Sequence, residues 1–220
     1  MPGTFIPTLT DGELTLRPLR LRDARELEHA LLSNREWLQP WEATTPGGSG
    51  RWDVKAGIRS LLEQSRRFQT LPFVMEADGA IVGQLTVSGI AYGALSSASL
   101  GYWVVPQLAG RGFTPRAVAL ATDHCFGRLG LHRMEICIRP ENRPSLRVVE
   151  KLGFRYEGLR RRYIHIDGDW RDHVCFAVIK EEVPEGVYRR FAEGRADPEL
   201  ARVRDEDAEL ARRAFAPGRQ

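Results

Sequence analysis

The chain has 220 residues, 42% of them hydrophobic, enough to bury one full core and a small appendage but not several large domains. Its 32 Lys and Arg against 29 Asp and Glu leave a net charge of +3, so nothing demands a nucleic-acid-binding surface. No apolar run approaches the roughly 18 residues of a membrane span, and no signal-peptide pattern opens the chain, which together read as a cytoplasmic protein without a membrane anchor.

Residues 1–12, with their prolines and threonines, read as a loose arm. Residues 13–18 (ELTLRP) alternate, placing Leu14 and Leu16 on one face of a first strand. Over 22–33 the apolar positions Ala24, Leu27, Ala30 and Leu31 recur at helical spacing, with Asp23 suited to the helix dipole. NREWLQPWE (34–42) starts as a helix and breaks at Pro40, whose ring removes a donor and restricts Gln39, leaving Trp37, Trp41 and Glu42 around a turn. Residues 44–50 form a flexible loop, and 51–69 a second helix with Val54, Ile58, Leu61, Leu62 and Phe68 inward. Strands over 71–77 and 80–92 are joined by an Asp78-Gly79 hairpin turn, with Gly83 marking a bulge.

The most informative stretch is 100–129. A buried strand (100–105) runs into a glycine loop (107–112) and then a helix, for which Thr114 suits the N-cap and Pro115 the first turn. Gly110 and Gly112 allow a sharp turn and the approach of an anion to the amides, toward which the helix dipole also points. Two glycines alone read first as a plain strand-to-helix turn, because short glycine patterns recur by chance. There is no GxxxxGK[ST] for a nucleotide triphosphate and no third glycine for a dinucleotide fingerprint.

A strand over 132–139 (HRMEICIR) puts Met134, Ile136 and Ile138 on one face and Glu135, Cys137 and Arg139 on the other. Pro140 ends it, and Asn142, Pro144 and Ser145 open a short helix with Leu146, Val149 and Leu152 inward and Gly153 as its stop. Strands 154–166 and 173–179 close around Asp167-Gly168-Asp169. Past Glu182 a charged extension carries Val187, Tyr188 and Phe191 in one helix and Leu200, Val203, Leu210 and Phe215 in another. Cys125, Cys137 and Cys175 lie far apart and read as free buried thiols, and the five histidines show no ligand spacing, so no metal is expected.

Gln107, Gly110 and Gly112 form a Q-x-x-G-x-G pattern that resembles the pyrophosphate motif of the GNAT superfamily of acetyl-CoA-dependent N-acetyltransferases. NREWLQPWE, LGYW, ENRPS followed by EKLGFRYEG, and IDGDWRDH resemble the RimJ/RimL-type ribosomal-protein alanine N-acetyltransferases, the RimJ branch in particular. Over about residues 14–179 the element order is similar to that fold. The resemblance implies an α/β (α+β) fold: a mixed, mostly antiparallel sheet of about seven strands, helices on both faces, and a V-shaped splay between the fourth (100–105) and fifth (132–139) strands. The acetyltransferase domain is then 13–182, with an N-terminal arm 1–12 and a helical extension 183–220.

It implies acetyl-CoA as cofactor. Free backbone groups of Val104 and Val105 then pair with the pantetheine arm. Gln107 and the amides of Gly110, Arg111, Gly112, Phe113 and Thr114 receive the pyrophosphate. Asn142 hydrogen-bonds the pantetheine and Ser145 lies near the sulfur as a proton donor; both also suit a helix cap. Lys151 is a further candidate for a phosphate. Direct transfer needs a base, for which Glu42 and Glu135 stand side by side, the first otherwise an exposed carboxylate and the second otherwise an arginine partner. Asp172 reads as structural, and Trp37, Trp41, Tyr102 and Trp103 either wall the acceptor channel or fill the core. The acceptor implied is the N-terminal Ala or Ser of a ribosomal protein, with no direct nucleic-acid or membrane contact and a monomer or homodimer involving the C-terminal helices. A small amine such as an aminoglycoside or polyamine, and a non-catalytic acyl-CoA-binding module, are the alternatives.

Overall fold

The computed structural model describes residues 6–48 and 53–214. β1 (Leu9–Asp11) and β2 (Leu14–Pro18) form an antiparallel pair, followed by β3 (Leu71–Ala77), β4 (Ala80–Ala91) and β5 (Ser97–Val104) as an antiparallel meander. β6 (Arg133–Ile138) lies parallel to β5, and β7 (Arg155–Ile166) and β8 (Asp169–Ile179) complete one sheet in the order β1-β2-β3-β4-β5-β6-β8-β7. Helices α1 (Ala24–Ser33), α2 (Arg35–Leu38) and α3 (Val54–Arg66) lie between β2 and β3. α4 (Phe113–Gly127) follows β5 and α5 (Arg143–Leu152) follows β6; α6 (Val187–Ala192) and α7 (Asp205–Ala214) come after the sheet.

The extra strand relative to the sequence reading is β1, inside the stretch read as an arm. Leu9 stands opposite Leu16 and packs on the core, which gives these residues a reason to be ordered. Residues 1–5 of that arm, 49–52 at the junction of the loop and second helix, and Phe215 lie outside the described residues.

Alternation decides which helix covers which face. Leu14, Leu16, Phe73, Met75, Leu85, Met134, Ile136 and Phe176 form one buried face under α4 and α5. Val74 and Ile81 point the other way and pack with Leu27 of α1 and Ile58 of α3. Across β6 and β8 that second face is polar: Cys137 and Cys175 are register partners with Sγ atoms 2.8 Å apart, and all three cysteines are free thiols.

Several boundaries differ from expectation: β8 begins at Asp169, ahead of the anticipated 173, and α3 ends at Arg66, short of the anticipated 69. β5 begins at Ser97, ahead of the anticipated 100. α4 begins at Phe113 with Gly112, not Thr114, as its N-cap residue, because a left-handed backbone (φ 84°) turns the loop straight into the helix. At Gly83 the expected bulge is present: Met75 pairs with Gly83 and Glu76 with Ile81, so Val82 is the extra residue. Val82 then offers its carbonyl to the amide of Val105 at 2.9 Å, fixing the end of β5.

The C-terminal extension docks on the domain. Asp123 of α4 accepts the amides of Val187 and Tyr188 at 2.6 and 3.0 Å, Arg190 donates to the carbonyls of Leu152 and Gly153, and the Tyr156 hydroxyl donates to Asp207 at 2.7 Å. No helix among the described residues is long and apolar enough to cross a membrane.

A side chain at position 83 has no room, since an added Cβ falls 2.4 Å from the carbonyl oxygen of Trp103. Gly83→Ala is therefore expected to cost about 1–3 kcal/mol of stability by denaturant titration; an unchanged midpoint would contradict this packing.

Candidate active site

β5 and β6 pair only at Ser97–Arg133, Ala98–Met134 and Ser99–Glu135, after which residues 100–104 and 136–138 share no ladder. A cleft of about 1090 Å³ opens at this point. It passes through the sheet, because Tyr102 packs with the α4/α5 side and Trp103 with the α1/α3 side while both line it.

On the α4/α5 side the floor is the glycine loop. Gly110 (φ 83°) and Gly112 (φ 84°) have left-handed backbones, and an added Cβ would meet nothing within 4 Å at either, so conformation and not space calls for glycine. The first-turn amides of α4 have no intrahelical acceptor and face an open cradle, a good seat for a pyrophosphate. Arg147 and Lys151, one turn apart on α5, line the same cleft.

Asn142 caps α5, its side-chain oxygen accepting the Ser145 amide at 3.2 Å, so the cap role read from sequence is present. The Ser145 hydroxyl lies 2.8 Å from the Tyr102 hydroxyl. Desolvation pushes the Tyr102 phenol well above its ordinary range, against the opposing hydrogen bond from Ser145, so it stays protonated. Of the free backbone groups anticipated at Val104 and Val105, those of Val105 are both taken, its carbonyl by the Leu108 amide at 3.1 Å. The Val104 carbonyl accepts from the Trp37 indole at 3.1 Å, with a second lone pair still open, and the Val105 amide is held by Val82.

On the opposite side the cleft is walled by Leu31, Leu38, Trp41, Glu42 and Ala43, with Gln84, Thr86 and Ser88 from β4. Glu42 is ion-paired with Arg35. The Trp41-Glu42 turn is braced from outside by the β7–β8 hairpin: Ala43 bridges Ile166, the Thr44 amide donates to the His165 carbonyl at 2.8 Å, and Gln39 donates to Asp167 at 3.2 Å.

The cleft thus gathers Glu42, Val104, Gly110, Gly112, Phe113, Thr114, Asn142 and Ser145. Glu135, Val105, Gln107 and Arg111 do not line it. Arg111 instead faces Glu13 at 3.8 Å. Glu135 is bound by Arg133 and Arg160 at 3.0 and 2.7 Å; desolvation opposes its ionisation, but the two arginines outweigh this and hold its carboxyl below the ordinary range. Asp172 is buried and accepts the Arg162 amide at 2.7 Å, a structural use. Tyr102 as a partner of Ser145 was not read from the sequence, nor was Arg147, although its i,i+4 spacing from Lys151 was a usable signal. Among the described residues no cluster of three metal-ligating side chains occurs.

Residues 13–155 match the family described as "Acetyltransferase (GNAT) domain". The chain belongs to the GNAT acetyltransferase family. A solved structure, Mycobacterium smegmatis RimJ in complex with CoA-disulfide, is 40% identical with a TM-score of 0.78, covering 87% of this chain and 95% of that one. The [Ribosomal protein uS5]-alanine N-acetyltransferase of Escherichia coli K12 is 30% identical over 185 residues, 81% of this chain and 93% of that protein. The spermidine N(1)-acetyltransferase of the same strain is 28% identical over 172 residues, 76% and 86% of the two chains.

As a GNAT N-acetyltransferase the protein uses acetyl-CoA, which supplies the acetyl group as a thioester. The open glycine cradle, the two basic residues of α5 and the unpaired edge of β5 fit that molecule's phosphates and amide-rich arm. Replacing Arg147 and Lys151 together by Ala is expected to weaken CoA binding about tenfold while leaving the affinity for phosphate-free pantetheine unchanged, by calorimetry. Equal losses for both ligands would show that these side chains do not serve the phosphates.

Proposed function

We propose that this GNAT enzyme acetylates the N-terminal amine of a protein beginning with Ala or Ser, a ribosomal protein in the cytosol being the natural acceptor. The observation that carries this reading is the charge of the cleft: among its described lining residues Glu42 is the sole carboxylate, beside aromatic and aliphatic walls. One carboxylate suits an acceptor presenting a single ammonium, whereas a polyamine or aminoglycoside carries several and needs several counter-charges. The relative named as a [Ribosomal protein uS5]-alanine N-acetyltransferase supports the same choice.

In this reading Glu42 takes the proton of the arriving ammonium, directly or through one water, while Arg35 holds the carboxylate in place. The amides of Leu100, Tyr102 and Val104, which face away from β4 and have no β6 partner, offer donors to the acetyl carbonyl oxygen. Ser145 donates its proton to the departing sulfur, and the protonated Tyr102 donates to Ser145 from behind. Asn142 seats the pantetheine arm as well as capping α5, and the amides of Gly110, Gly112, Phe113 and Thr114 seat the pyrophosphate. Glu135 is left out of the proton path because its carboxylate is committed to two arginines away from the cleft.

The test is thiol release from acetyl-CoA with peptides beginning Ala, Ser, Thr and Met, run beside spermidine and an aminoglycoside. Turnover is expected with Ala and Ser peptides only; turnover confined to the small amines would overturn the acceptor assignment, and none with any amine would favour a binding module. Glu42→Gln is expected to lower kcat by about 100-fold or more, and Glu135→Gln to leave kcat close to wild type. The reverse pattern would move the base to Glu135.

A further inference from the structure

Arg139 occupies the junction between the two halves of the cleft. It follows β6 on the face opposite Ile138, and its side chain is only 9% exposed. Such a buried guanidinium is costly unless its donors are well used. One nitrogen, Nη1, donates to the carbonyl oxygen of Pro40 at 2.6 Å, Nε donates to Glu141 at 3.3 Å, and the guanidinium carbon Cζ lies over the Trp41 ring, 5.3 Å from its centre. The backbone of the same residue serves the other half of the site: its carbonyl accepts the Asn142 amide at 2.9 Å, and Asn142 in turn caps α5 at Ser145.

From these contacts we infer that Arg139 is a positioning residue, which sets the Trp41-Glu42 turn against the start of α5 and so fixes the distance from the Glu42 carboxylate to Ser145. The turn has two anchors. The β7–β8 hairpin holds residues 43 and 44 by backbone pairing, and Arg139 holds Pro40 and Trp41 from the sheet, so Glu42 sits between them. Pro40 sharpens the requirement: it cannot donate a backbone hydrogen bond, and its carbonyl is the group gripped. A lysine keeps the charge but not the planar fork, so it cannot hold the carbonyl and stack on the indole together. Nearby His173 is buried, and burial, reinforced by the Arg139 charge, keeps its imidazole neutral, so it does not compete for the guanidinium's position.

This inference rests on Glu42 acting at the acceptor amine, so its test is a double-mutant cycle on the full chain with Glu42→Gln, Arg139→Met and both, assayed with an Ala-starting peptide. Arg139→Met is expected to lower kcat by about 10- to 100-fold, as a misplacement of order 1 Å does. The dissociation constant for CoA should stay within about twofold, because the residues seating the cofactor remain (the phosphate contacts are remote from the lost fork). In the double variant the loss should equal that of Glu42→Gln alone, and Arg139→Lys should restore only part of kcat. Losses that multiply in the double variant, or a wild-type kcat in Arg139→Met, overturn the role of Arg139 while leaving Glu42 in place. An unchanged kcat in Glu42→Gln instead overturns the reading of Glu42, and with it the positioning claim. Should Arg139→Met lose its thermal unfolding transition, the same cycle is run with Arg139→Lys, and multiplicative losses there overturn the proposal equally.

Discussion

Everything in this molecule depends on a β-ladder that stops early. Parallel strands β5 and β6 exchange hydrogen bonds for three residues and then part, leaving main-chain groups inside a domain with no partner across the gap. Buried peptide groups in that condition are costly, so the separation persists only where each strand is held from its other side. β5 is held by β4 along its length and, at its end, by the Val82 bulge. β6 is paired with β8 from Arg133 to Ile138. The gap is therefore a built feature with an amide-rich edge, and acetyl-CoA is a molecule whose arm presents amides to match.

The remaining parts follow from where that gap leads. Because β5 alternates, Tyr102 and Trp103 face opposite sides of the sheet, and the cleft joins them. One side receives the helix starts of α4 and α5, with the unspent first-turn amides of α4 and the two basic side chains of α5, which suits a polyanion. The other receives the α1–α2 corner, where Pro40 breaks the helix and leaves the Glu42 carboxylate next to Trp41 on the cleft wall. In the function proposed above, donor and acceptor approach from opposite faces and meet at the splay, which brings the amine directly to the thioester. The C-terminal extension packs on the same side of the sheet, where Asp123 ties it to α4 and Arg190 to the end of α5.

Much of this was legible in the chain because local chemistry and tertiary structure agreed. Leu14 with Leu16, and Met134 with Ile136 and Ile138, declared their faces by alternation, and the glycine loop declared itself by position between a strand and a helix. β1 was missed because three residues beside prolines and threonines carry almost no periodic signal; only pairing with β2 orders them. Thr114 was a sound capping residue that lost to Gly112, since a left-handed glycine reaches the helix start two residues sooner. Which of Glu42 and Glu135 borders the cleft could not be read at all, because Arg133 and Arg160 reach Glu135 through registers that only the folded sheet defines. The same holds for Tyr102 and Ser145, 43 residues apart in sequence and within hydrogen-bond reach in space.

The most direct measurement is amide hydrogen exchange of the free and CoA-bound protein, read residue by residue. The account predicts that amides of 100–104 facing the gap exchange faster than those of β3 in the free protein and become protected with CoA, together with 110–114, while β3 and β4 stay unchanged. Protection of 100–104 already equal to that of β3, or no change there on binding, would contradict the claim that the unfinished ladder is the cofactor's seat.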